Sequence, residues 1–97
     1  MWRPLILLLL LSRFIQAQNV GINATGNVPN ASAMLDIESV DKGLLIPRIS
    51  LTDIADVVTI PTPALSLLVY NTNAAITGGN GVGFYYFDGT NWIKLND

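Results

Sequence analysis

Apolar and polar positions along the chain follow several distinct patterns, and each predicts a different element. Leu35 and Ile37 alternate with Asp36 and Glu38, the period-two signature of a strand over Met34 to Val40 with the two aliphatic side chains on its inward face. Val20 and Ile22 alternate more briefly, giving a short strand followed by an extended Asn/Gly/Pro-rich stretch to Ala33. After the turn signal Asp41-Lys42-Gly43, Leu44 to Ile49 is apolar again, and Pro47 confines it to a sheet edge or a strand end. Ser50-Leu51-Thr52-Asp53 fits a capping box and predicts a short helix over about Leu51 to Val57, which cannot pass Pro61 and Pro63.

The second half reads more plainly. Leu65 to Asn71 is apolar at nearly every position, as a strand covered on both faces would be. The four aromatics Phe84 to Phe87, the turn Asp88-Gly89-Thr90 and the return Asn91 to Leu95 predict a hairpin that sets Trp92 beside the aromatic run. The expected fold is therefore mainly β: a small antiparallel sheet with a C-terminal aromatic hairpin and one short helix.

The chain opens differently. Met1-Trp2-Arg3 is short and positive, Leu5 to Leu11 is unbroken apolar, and the stretch from Ser12 turns polar and ends near Ala17. That order is a secretory signal peptide, although Ile15 is larger than is usual so near a cleavage site. Its apolar core is shorter than the roughly 20 residues a bilayer requires. The sequence thus predicts residues 1–17 as a signal peptide, 18–33 as an extended segment and 34–97 as a small β-rich module, secreted or on the outer cell surface, with no stable membrane span after cleavage.

Cleavage at Ala17 leaves 80 of the 97 residues, with three basic groups (Lys42, Arg48, Lys94) against seven acidic ones, a net charge of −4. Such a surface repels phosphate backbones and disfavours nucleic-acid binding. A domain this small usually needs a disulfide, a metal or a partner subunit to be stable. There is no cysteine and no histidine, which removes disulfides, zinc sites and Cys/His nucleophile pairs. A partner subunit remains, so a homo-oligomer is expected, completing the sheet by association, with no cofactor.

Several stretches resemble chemical sites and have plainer explanations. Gly78 to Gly83 is glycine-rich, but an aromatic strand follows it where a phosphate loop would open a helix. Asp36, Glu38 and Asp41 are oxygen ligands of the kind calcium takes, yet Asp36 and Glu38 fall on one face simply because Leu35 and Ile37 take the other. Asn23-Ala24-Thr25 and Asn30-Ala31-Ser32 are formal glycosylation sequons that turn chemistry explains equally well. Tyr85, Tyr86 and Trp92 are candidates either for stacking on a ligand such as a sugar or for packing within the hairpin. Arg48, beside Pro47 in an apolar run, calls for a carboxylate: Asp36, Glu38, Asp53 or one on another chain.

Five blocks in order, Val20-Gly21-Ile22-Asn23, Ala33 to Ile37, Lys42 to Arg48, Leu68 to Thr72 and Tyr86 to Trp92, resemble a module of secreted surface proteins of Bacteroidetes and segments of phage tail-fibre and related structural proteins. The resemblance implies a non-enzymatic head or stalk-base module of a fibrous, trimeric surface protein, carrying a surface glycan or protein ligand. Such proteins continue into repeats and end in an autoproteolytic chaperone domain, so a sequence stopping at Asp97 is expected to be a fragment or a minimal relative. The segment from Asp53 to Pro63 departs from the resemblance in lacking a Gln/Arg-rich helix. Two rivals make different demands: a monomeric carbohydrate-binding module needs exposed rings on the hairpin, and an enzyme needs a nucleophile, base or metal constellation that the sequence does not offer.

Overall fold

A computed structural model describes residues 18–96; the predicted signal peptide lies outside the described residues. The chain divides into two compact units, one ending at Gly43 and one running from Leu44. The regular elements among the described residues are all strands.

The first unit holds two strands, β1 (Val20–Ile22) and β2 (Leu35–Ile37), paired in parallel with Val20 opposite Leu35 and Ile22 opposite Ile37. The Val20 N–H donates to the Met34 carbonyl (2.8 Å) and the Glu38 N–H to the Ile22 carbonyl (2.9 Å), which fixes the register at both ends. A parallel pair needs a long crossover, and here it is an irregular loop ordered by asparagine side chains. The Asn23 Oδ1 accepts from the N–H groups of Thr25, Gly26 and Asn27 (3.2, 2.6 and 3.1 Å), and the Asn30 Oδ1 from the N–H and hydroxyl of Ser32 (2.9 and 2.7 Å). Both sequons are therefore built into turns by their own carboxamides.

The second unit holds a four-stranded sheet in sequence order: β3 (Arg48–Ile49), β4 (Leu68–Asn71), β5 (Gly83–Phe87) and β6 (Trp92–Lys94). β3 runs parallel to β4, whereas β4, β5 and β6 are antiparallel, so the expected antiparallel sheet is in fact mixed. Pro47 precedes β3, which is an edge strand. The Pro47 carbonyl nevertheless accepts from the Tyr70 N–H (2.9 Å), a role that needs no N–H of its own. The β5–β6 hairpin is the predicted one. Its turn is held by the Asp88 Oδ1, which accepts from the Thr90 and Asn91 N–H groups (2.8 and 2.7 Å), and Gly89 takes the positive φ of 99° that the bend requires.

The inner face of this sheet carries Val69, Asn71, Tyr85, Phe87 and Trp92, all buried, and packs on Leu51 and Ile76. Phe87 and Trp92 face each other across the hairpin with ring centroids 5.1 Å apart. Polar atoms that enter this core are paired. The Asn71 Oδ1 accepts from the Leu51 and Asn73 N–H groups (3.0 Å each), and its Nδ2 donates to the carbonyls of Asn73 and Gly81 (2.9 and 3.0 Å). The Tyr85 hydroxyl donates to the same Gly81 carbonyl (2.7 Å), and the Trp92 indole N–H donates to the Asp56 carbonyl (2.7 Å).

The short helix over Leu51 to Val57 does not form; the described residues contain no helix. The backbone groups a helix would use are taken elsewhere. The Ile54 N–H donates to Thr77, the Thr77 N–H to Thr52, and the Ile54 carbonyl accepts from Trp92 (3.1, 3.1 and 2.7 Å). Asp53 bridges Thr77 in parallel, and its Oδ1 accepts from the Ala55 N–H (2.7 Å), a local turn in place of a cap. Tertiary hydrogen bonds outweigh a weak local preference here.

Candidate interaction surfaces

Strand alternation gives the four-stranded sheet a second face. Arg48 pairs with Tyr70 and Tyr70 with Phe84, while Leu68 pairs with Tyr86 and Tyr86 with Ile93. Paired residues on adjacent strands share a face, so these six form one outer surface, opposite the core. Tyr70 and Phe84 meet edge-to-face with centroids 5.1 Å apart. Phe84 remains 47% exposed and Leu68 42%. A shallow groove beside them is lined by Leu44, Leu45, Ile46, Arg48, Tyr70 and Phe84. This outer face is apolar and aromatic with one cation at its edge, the composition of an interaction surface more than of a solvated one.

The first unit offers another such face. Val20, Ile22, Leu35 and Ile37 are brought together by the parallel register, and all four are exposed, Leu35 to 54%. The opposite side carries Gly21 and Asp36. Pro29 closes over Gly21 so tightly that a Cβ there would lie 3.0 Å from the Pro29 Cγ, and the half-buried Asp36 accepts from the Asn30 N–H (2.8 Å). The orientation predicted for β2 is thus reversed. Among the described residues of this unit no inner layer covers Leu35 and Ile37, while the loop half-buries Asp36 on the other side.

The predicted site residues are distributed as follows. Arg48 does not form the expected ion pair with Asp53 in its own unit: its Nη1 donates to the Ile46 carbonyl (3.0 Å), and the Asp53 carboxylate is occupied by its own turn. Asp36 serves the Asn30 amide, and Glu38 is exposed just after β2. Both belong to the first unit. Of the three predicted aromatics, Tyr85 and Trp92 are core residues, 0% and 1% exposed, and Tyr86 lies on the outer face. The glycine-rich loop directs its polar groups to its own neighbours: the Gly81 carbonyl takes Asn71 and Tyr85, the Asn80 carbonyl takes the Lys94 ammonium (2.9 Å), and the Asn80 N–H donates to the Tyr85 hydroxyl (3.0 Å). Among the described residues no group of three or more acidic residues is placed to hold a metal ion.

Sequence reasoning missed Asp56. Its carboxylate is buried and accepts five bonds, from the N–H and hydroxyl of Thr52, the N–H of Val58, and the N–H and hydroxyl of Thr59 (3.1, 3.1, 3.0, 2.9 and 2.6 Å). Burial disfavours its charge, but the Thr59 hydroxyl and the three backbone donors outweigh that and hold the carboxyl well below the usual carboxylate range. The signal was available: an aspartate flanked at −4 and +3 by threonines, in a stretch leading to two prolines.

Residues 21–97 match the family described as the phage tail like trimerisation region. Neither the curated proteins nor the solved structures give a match.

Proposed function

The chain belongs to the family of phage tail-like trimerisation regions, and from that premise we propose that it is an exported structural module, part of a fibre-like surface assembly, in which three copies bury the outer face of the four-stranded sheet. Self-association and a structural role follow from the family. The observation that supports this surface is the row Arg48, Tyr70 and Phe84, flanked by Leu68, Tyr86 and Ile93, which leaves aromatic and aliphatic side chains in solvent on the side of the sheet away from its core. Burying such a face in each of three copies supplies the apolar area that a chain this short lacks alone. Export is supported by the order of positive start, apolar run and polar tail in residues 1–17. A surface location joins it to the fibre proteins the sequence resembles, where a glycan or a protein is the ligand class such modules carry.

Expression with the leader in a secreting bacterial host, followed by light scattering and N-terminal mass analysis of the exported product, tests both parts. The expected product begins near Gln18 and has the mass of three chains, and Phe84→Glu reduces it to single chains. A folded single chain at high concentration would refute the trimer, and a product retained in the cytoplasm with Met1 in place would refute export.

A further inference from the structure

We infer that the β1–β2 ribbon is a second assembly surface, on which the same ribbons of the other two copies pack through Val20, Ile22, Leu35 and Ile37. The inference rests on the trimer reading and adds to it where, besides the four-stranded sheet, the copies meet.

From Gln18 to Gly43 not one residue is buried, so the ribbon has no core of its own. An isolated two-stranded sheet is marginal in water, and parallel strands occur almost only with their faces covered. On one side of this ribbon Pro29 lies against Gly21 and the half-buried Asp36 holds the Asn30 amide, so the larger unmet requirement falls on the aliphatic side. That side presents four uncharged side chains. In a chain whose acidic groups outnumber its basic ones, an uncharged patch is a surface that a copy of itself can approach without like-charge repulsion. The segment matching the trimerisation family begins at Gly21 and takes in the rest of both strands, which makes a second copy the favoured occupant over an unrelated protein. A threefold arrangement brings three equivalent aliphatic faces to one axis, and each ribbon acquires the core it lacks.

The experiment uses the exported chain at concentrations spanning trimer dissociation. Hydrogen exchange is expected to show the Val20 and Glu38 amides protected in the trimer and unprotected in the dissociated chain. Leu35→Asp is expected to abolish that protection and to raise the concentration for half-dissociation about a hundredfold or more, since it exposes or charges a buried leucine in every copy. Leu35→Cys keeps the apolar character and places the chain's one thiol near the axis, so mild oxidation should give covalently linked pairs of chains. A trimer whose ribbon amides exchange freely, and whose Leu35→Asp variant associates like the parent, overturns this inference and leaves the trimer reading intact. A chain that stays single at every concentration overturns both.

Discussion

The two units solve the same problem by opposite means. From Leu44 onward the chain folds around Leu51, Val69, Ile76, Tyr85, Phe87 and Trp92, and polar groups entering that core are satisfied by Asn71, Tyr85 and Asp56. From Gln18 to Gly43 it has register, turns and a half-buried polar side, but not one buried residue. The difference separates two sources of structural definition. Asparagine turns and ladder bonds can specify a conformation, but each contributes only about 1 kcal/mol net, and a buried aromatic contributes several times that. The second unit therefore has the means to hold its own shape, while the first has a specified shape that needs an outside surface to hold it.

That contrast can be broken most forcefully at Trp92. Trp92→Ala removes a ring that is 1% exposed and leaves the Asp56 carbonyl without its indole partner, and it is expected to cost about 3–5 kcal/mol in chemical denaturation of the sheet unit. A loss below 1 kcal/mol would mean that the core does not carry the second unit's stability. Asp56→Ala comes next, at about 2–4 kcal/mol, because three backbone N–H groups and two hydroxyls lose their acceptor.

The same residue gives the pH dependence. The carboxyl is held below its ordinary value of 3.8, so the folded state binds the proton less readily than the unfolded one. Its contribution is complete above that value and declines as the pH falls below it. The parent should lose stability on acidification below about pH 4 more steeply than Asp56→Asn, measured as denaturation midpoints against pH. The smallest effect belongs to the ribbon. Asn23→Ala is expected to cost about 1 kcal/mol, seen as faster exchange at Gly26 and Asn27 with the midpoint of the Trp92-reported transition unchanged. A shift in that midpoint would show that the two units unfold together.

How much of this was legible depended on whether a residue's role was local. The hairpin was readable because Phe84 to Phe87, Asp88-Gly89 and Trp92 determine one another within nine residues, and Pro47 marked its strand as an edge. The helix over Leu51 to Val57 was misread because its rivals are distant: Thr77 and Trp92 take the backbone groups of Thr52 and Ile54, and nothing near Ser50 announces them. Alternation in Leu35 to Glu38 correctly gave a strand but not its orientation, which depends on what covers each side, and here a loop led by Pro29 takes the polar side. Arg48 drew attention as a cation among apolar residues, and the sequence could not foresee that the Ile46 carbonyl, two residues away, would meet it.

The bond from the Trp92 N–H to the Ile54 carbonyl has a consequence for what the assembly avoids. β6 is the last strand of its sheet, and such a strand invites another chain to continue the ladder without limit. The segment that declined to become a helix lies at that margin and occupies the outward amide of Trp92. Growth by strand addition is obstructed at that margin, one of the sheet's two, which favours the face-to-face packing proposed above for the exposed apolar surface. Face-to-face packing around an axis can close on itself after a fixed number of copies, whereas a ladder left open at its margin leads toward the cross-β polymer.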